Sequence, residues 1–172
     1  MGILDVFRYR QYPEEVRDAL SFLDKNFNYV LRLGWIAPKL VNAASHQDAG
    51  EAIREFRQLR RWENWEQLSA SMGRLCSKLE KVMPLLDASS RRQLQNRMQE
   101  LRSLKAMVLM ESAEKLKPLL LNVDKDAIDW EKVHALAKTI QEHLAAIIAV
   151  EQTLKSMVTE RSSTAQQPAL AR

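Results

Sequence analysis

The chain has 172 residues, of which 46% are hydrophobic and 28% are charged, as expected for a globular protein with one core. Its 26 basic and 22 acidic residues leave a net charge of +4, spread too evenly for a dedicated nucleic-acid surface. A single cysteine, Cys76, excludes a disulfide framework and favours a reducing, cytoplasmic location. No apolar stretch approaches the length of about 18 residues that a membrane-spanning helix needs.

We divide the sequence into an arm, one domain and a tail. Residues 1–12 are apolar and basic, and three roles stay open for them: a docking arm, an anchor in weak contact with a membrane surface, or a flap over the end of the domain. Residues 13–160 form a single helical domain. Residues 161–172 are rich in Ser, Thr, Gln and Ala, which predicts a disordered tail.

The first predicted helix covers residues 13–44 and has two apolar stripes. Pro13 suits the first helical position, and the two acidic residues after it suit the first turn. The main stripe comprises Val16, Leu20, Leu23, Phe27, Val30, Leu31, Gly34, Ala37 and Val41, and the second comprises Phe22, Tyr29, Leu33, Ile36 and Leu40. A surface helix needs only one stripe, so two stripes predict burial on two sides. Pro38 predicts a kink near Gly34.

The second predicted helix covers residues 48–83, with Asp48 as its N-cap. Between Ile53 and Leu68 the apolar residues recur every three positions, which rotates the stripe until its early face lies roughly 140° from the later one. Either the helix breaks near Arg60, or its two halves pack against different neighbours. Because no Pro or Gly lies between Gly50 and Gly73, we predict one continuous helix.

Two further helices complete the predicted fold. The third covers residues 87–121, and the fourth follows Asp126, which with Asp129 resembles a capping box, and runs to residue 160. Four long helices joined by short turns predict an all-α, antiparallel four-helix up-down bundle.

The titratable residues give little indication of catalysis. Glu131 and His134 form one Glu-x-x-His pair, whereas di-iron bundles use two such pairs and two more glutamates. No spacing suggests a Ser-His-Asp or Cys-His arrangement or a Gly-rich phosphate loop. We therefore predict a protein that is not an enzyme and has no cofactor or metal, with Cys76 as a core residue. Glu151 lies on the inward stripe of the fourth helix, and we predict that it pairs with Arg97 across the bundle.

The function that the sequence favours is an interaction module that binds another protein or a second copy of itself, as a homodimer. The predicted partner surface comprises Phe22, Tyr29, Leu33, Ile36, Leu40, Phe56 and Trp62. The alternative is a nucleic-acid-associated subunit that uses Arg54, Arg57, Arg61 and Trp62, because arginines interleaved with indoles bind phosphates and stacked bases. Glu51, Glu55, Glu63 and Glu66 stand at helix-neighbour spacing from these arginines, so we expect them to neutralise much of this charge. The methionines Met107 and Met110 point away from the stripe of the third helix and suit an adaptable protein surface.

Overall fold

The computed structural model describes residues 12–59, 65–121, 124 and 127–164, and all regular secondary structure in these ranges is helical. The seven α-helices are α1 (Glu14–Asn26), α2 (Asn28–Val41), α3 (His46–Gln58), α4 (Trp65–Val82), α5 (Ala88–Ser103), α6 (Ala106–Leu121) and α7 (Trp130–Thr164), with a short 3-10 helix at Met83–Leu85. The all-α prediction is confirmed. The prediction of four long helices is not confirmed, because a break divides each of the first three predicted helices.

The breaks lie where backbone angles leave the helical region. Phe27 adopts φ −122° and ψ 10° between α1 and α2, and its side chain is completely buried. Leu59 and Leu104 take extended angles, with ψ values of 126° and 127°, and end α3 and α5. The prediction of one continuous second helix is therefore wrong. The change in direction of its apolar stripe coincides with a separation into α3 and α4.

Pro38 and Pro118 both lie inside α-helices. Helix α2 continues through Pro38 to Val41, and α6 continues through Pro118 to Leu121. The carbonyl of Pro38 still accepts hydrogen bonds from the backbone and side-chain nitrogens of Asn42. Each proline lacks the N–H that would bond to the carbonyl four residues earlier, and the helix continues past it through its other hydrogen bonds.

The uninterrupted helix α7 is the centre of the packing, since α1, α2, α5 and α6 all contact it. Its inward stripe is completely buried and comprises Val133, Ala137, Ile140, Leu144, Ile147, Val150 and Leu154. Near its start, Nε2 of His134 donates to the carbonyl oxygen of Ala43 at 2.7 Å, which joins α7 to the chain just after α2. Near its other end, the Tyr12 hydroxyl donates to the carbonyl of Lys155 at 3.4 Å.

Side chains satisfy the free backbone N–H groups at three helix starts. Ser45 caps α3 by accepting from the Asp48 nitrogen at 3.2 Å, while the Asp48 carboxylate accepts from the Ala44 nitrogen at 3.3 Å. Asp48 is thus the third helical residue of a capping box and not the N-cap that we predicted. Asp87 caps α5 by accepting from the nitrogens of Ser89 and Ser90. Asp129 accepts from the Lys132 nitrogen at 3.1 Å and caps α7, whereas the predicted partner Asp126 lies outside the described residues.

None of the described helices combines the length and the hydropathy that crossing a bilayer requires.

Candidate interaction surface on α2 and α3

The second apolar stripe of the first predicted helix faces α3 and the core. Leu33, Ile36 and Leu40 retain at most 1% of their exposure, and Ile53 and Phe56 of α3 retain 3% and 7%. Helix α2 contacts both α3 and α7, so these side chains are buried within the chain's own fold. A partner cannot contact these side chains without opening the fold, so the predicted partner surface is wrong at Leu33, Ile36, Leu40 and Phe56.

The other members of the predicted partner surface are half-buried or not described. Phe22 lies under the cationic side chains of α4, with Lys78 Nζ at 5.3 Å and Arg74 Cζ at 5.9 Å from its ring centroid. Tyr29 lines a cavity of about 80 Å³ between α3 and α6. Trp62 lies outside the described residues. These positions do not form a continuous exposed apolar patch within the described part of the chain.

The outward side of the same two helices carries an exposed indole. Trp35 retains 45% of its exposure, although the next residue, Ile36, is completely buried. Lys39, one turn later, places its Nζ 3.4 Å from the centroid of the Trp35 ring. The same Nζ donates to Glu51 of α3 at 2.6 Å. The ammonium group of Lys39 therefore contacts the indole of Trp35, and the ion pair with Glu51 fixes the position of Lys39.

A second ion pair, between Arg32 and Glu55, joins the same helices. We call the surface formed by Arg32, Trp35, Lys39, Glu51, Arg54 and Glu55 the α2–α3 outer face. Both of its carboxylates bond to cations of α2, which lies beside them in space, rather than to arginines of their own helix. Our expectation that the glutamates pair with the arginines of α3 is therefore wrong for Glu51 and Glu55, while Glu63 lies outside the described residues.

Arg54 and Arg57 are both exposed, and neither forms an ion pair with another described residue. The hydrogen bond from Lys39 is the main cause that lowers the pKa of Glu51, and the charge of nearby Arg54 acts in the same direction. Arg54 therefore lies near Glu51, which Lys39 links to Trp35. Arg61, the third predicted nucleic-acid contact, lies outside the described residues.

The predicted pair between Arg97 and Glu151 does not form. Arg97 donates to Glu100 at 2.8 Å, and Glu151 accepts from Lys155 at 2.5 Å. Each residue finds its partner one turn away on its own helix, where side chains three or four positions apart already lie side by side. Glu151 is only half-buried, which removes the need for a partner across the bundle.

The remaining candidates for chemistry are structural. Glu131 is exposed while His134 bonds to a backbone carbonyl, and the described residues contain no group of three His, Cys, Asp or Glu side chains suited to a metal ion. Cys76 is buried at 4% exposure, and burial raises the pKa of its thiol. Its assignment to the core is confirmed.

A shallow groove between α5 and α7 has a volume of about 430 Å³. Its lining is mostly amide, hydroxyl and small side chains, and it comprises Gln93, Asn96, Arg97, Glu100, Ala149, Gln152, Thr153 and Ser156. The only charged pair in it, Arg97 with Glu100, is bonded internally. The groove therefore offers neither an apolar anchor nor an unpaired charge.

Sequence reasoning missed Trp35 because it lies on neither apolar stripe of its helix. That position was itself the available signal, since a large aromatic residue outside both stripes must point to solvent. Met107 and Met110 were both predicted to point away from the apolar stripe. Only Met107 is exposed, at 48%, while Met110 retains 6%. Trp65, at 44%, is the remaining large exposed hydrophobic side chain among the described residues.

Comparison with known proteins gives no relationship from which a function follows. No protein-family model, curated protein or solved structure matches the chain.

Proposed function

We propose that this chain is a non-enzymatic helical interaction module that binds a protein partner through the α2–α3 outer face. The observation that carries the proposal is the position of Trp35, an indole that is 45% exposed on a helix whose neighbouring position is completely buried. Tryptophan is among the residues most enriched where protein interfaces concentrate their binding energy. A half-exposed indole that gains full burial contributes a large apolar area to association.

The α2–α3 outer face is also ordered before a partner arrives. Lys39 touches both the indole of Trp35 and the carboxylate of Glu51, so three side chains from two helices restrain one another. Ordering long side chains at an interface costs about 0.5–1.5 kcal/mol each, and a surface that is already ordered avoids part of this cost. Such a surface suits recognition better than a flexible lysine and an isolated indole do.

A second candidate function is binding to single-stranded nucleic acid. The observation in its favour is that Arg54 and Arg57 are exposed without ion pairs to other described residues. Phosphate contacts release counterions, so binding of this kind must weaken steeply with salt. We rank it second because the carboxylates of Glu51 and Glu55 belong to the same α2–α3 outer face and repel phosphates.

The test compares two tryptophans of nearly equal exposure. Wild type, Trp35→Ala and Trp65→Ala are used to capture partners from the native host, and any captured protein is then purified and titrated against all three. We expect Trp35→Ala to weaken the dissociation constant by about 30-fold, the effect of an interface hot spot, and Trp65→Ala to change it by less than about twofold. Circular dichroism confirms that each variant is folded.

Three results would overturn the proposal. The first is a partner that binds Trp35→Ala as tightly as wild type. The second is an equal loss with Trp65→Ala, which would indicate general adhesion of exposed indoles. The third is salt-sensitive binding of an oligothymidine at physiological salt that Arg57→Ala weakens, with no protein captured, which would establish the nucleic-acid alternative.

A further inference from the structure

We infer that the partner presents an acidic segment with an apolar anchor. Arg54 binds a carboxylate of this segment, and Trp35 contacts the apolar anchor. The inference rests on the proposed function and adds the chemistry of the partner. Helices α2 and α3 carry four cationic side chains, namely Arg32, Lys39, Arg54 and Arg57. Their three acidic side chains are Asp48, Glu51 and Glu55, all of which already have partners within the fold.

The ion pairs determine which charges remain available. Asp48 accepts from the Ala44 backbone and the Ser45 hydroxyl in the capping box, so it does not offset an arginine. Glu51 and Glu55 bond to Lys39 and Arg32. No hydrogen bond or ion pair to another described residue engages the guanidinium groups of Arg54 and Arg57, which are exposed. A guanidinium binds a carboxylate with two parallel hydrogen bonds, which gives both strength and direction.

The spacing of charge on the face favours an acidic peptide over a nucleic acid. The carboxylate of Glu51 is linked to Trp35 through Lys39, and Glu51 stands three positions before Arg54 on α3. A nucleic-acid strand carries a phosphate at every nucleotide, so it must bring negative charge close to Glu51 when it spans the two sites. A peptide carries charge only where its sequence places Asp or Glu. It can therefore set an apolar side chain on Trp35, a neutral one over Glu51 and a carboxylate on Arg54.

The experiment measures fluorescence anisotropy of labelled synthetic peptides of about twelve residues, long enough to span two helices. One peptide carries glutamates and leucines at helical spacing, a second replaces each Glu with Gln, and a third replaces each Glu with Lys. We expect the acidic peptide to bind at least about tenfold more tightly than the other two, with an affinity that falls as salt rises. An oligothymidine is the nucleic-acid probe.

Charge reversal on the protein provides the matched control. Arg54→Glu removes the proposed contact, whereas Arg92→Glu makes the same change at an exposed position of α5. We expect Arg54→Glu to weaken the acidic peptide by about tenfold or more and to improve binding of the lysine peptide, and Arg92→Glu to change either by less than about twofold. Recovery with the lysine peptide shows that the variant is folded and that the contact is ionic.

Several outcomes would overturn the inference. They are equal binding of the acidic and glutamine peptides, equal losses in Arg54→Glu and Arg92→Glu, and binding of oligothymidine alone. A captured protein that depends on Trp35 but contacts the face through a segment without Asp or Glu also overturns it, while leaving the proposed function intact. Loss of Trp35 dependence overturns both.

Discussion

Gly34 of α2 lies against Ile148 of α7 so closely that a Cβ atom added to the glycine would lie 2.5 Å from Cδ1 of Ile148. The next atom of the same side chain, Cγ1, would be 3.2 Å away. These two helices share the most extensive packing in the fold, and the absence of a side chain at position 34 permits their close approach.

The first prediction concerns this contact. Gly34→Ala gains the helix propensity of alanine, but the added methyl group displaces Ile148, and we expect a net loss of about 1 kcal/mol in the free energy of unfolding. Gly73→Ala is the matched control, because a Cβ at Gly73 meets nothing within 4 Å, and it should stabilise by about 0.5–1 kcal/mol. Urea denaturation measures both values.

A double variant isolates the cause of the effect. Ile148→Val removes Cδ1, the atom nearest to the added methyl group, so Gly34→Ala should cost less in that background than in wild type. If Gly34→Ala proves as stabilising as Gly73→Ala in the wild-type chain, α2 and α7 are not held at the distance described.

The second prediction separates two neighbouring residues. Ile36 is completely buried and Trp35 is 45% exposed, so the same substitution should destabilise the fold much more at position 36 than at position 35. Ile36→Asp places a charge in the core and should cost more than about 3 kcal/mol, or prevent folding. Trp35→Asp should change the free energy of unfolding by about 0.5 kcal/mol or less. Similar losses at both positions, measured by thermal and urea denaturation, would show that Trp35 is a core residue.

The fold was partly predictable because helix propensity and apolar periodicity are local properties. They gave the all-α class and many of the buried positions, including Leu20 and Leu23 of α1. The breaks at Phe27 and Leu104 were not predictable in the same way, since no proline or glycine marks them. They arise from packing, as the burial of Phe27 shows, and a single sequence does not contain that information in local form.

The candidate site was predictable only in its location. The sequence placed the predicted partner surface on the first two predicted helices. Most of its described residues lie on the buried side of these helices. Leu33 and Ile36 form a clear apolar stripe, and the burial of that stripe depends on how closely α3 covers it. The pairing of Glu51 with Lys39 joins two helices, so rules for neighbours on one helix could not detect it.

The third prediction concerns the cap of α5 at low pH. The Asp87 carboxylate accepts from the Ser90 hydroxyl at 2.6 Å and from the nitrogens of Ser89 and Ser90. The Ser90 hydroxyl is the main cause that lowers the pKa of Asp87 below its ordinary value of 3.8. Because the folded state favours the ionised carboxylate, this contribution to stability is complete above pH 3.8 and is lost as the pH falls through the lowered pKa.

Two variants test this sign. Asp87→Asn keeps an oxygen acceptor for the cap but cannot titrate, so its free energy of unfolding should fall less steeply than that of wild type as the pH is lowered below 3.8. Asp87→Ala removes the cap and should be less stable than either at neutral pH. Parallel pH profiles for wild type and Asp87→Asn would contradict the account of the cap.

The fourth prediction concerns the thiol of Cys76. The side chain is buried, and burial raises its pKa, so the native protein should present almost no thiolate at neutral pH. A thiol-specific chromogenic reagent should react only as fast as the protein unfolds, and denaturant should accelerate the reaction. Rapid labelling of the native protein at pH 7 would show that Cys76 is accessible. Cys76 would then be a candidate for a chemical role.

The central claim is that Trp35 contacts the partner, and footprinting of the complex tests it most directly. The free protein and its complex with the purified partner are exposed to hydroxyl radicals, and oxidation of each tryptophan is quantified by mass spectrometry. We expect oxidation of Trp35 to fall strongly on binding while that of Trp65, which is equally exposed in the free protein, stays unchanged. Undiminished oxidation of Trp35 in the complex, or protection of Trp65 instead, would contradict the claim.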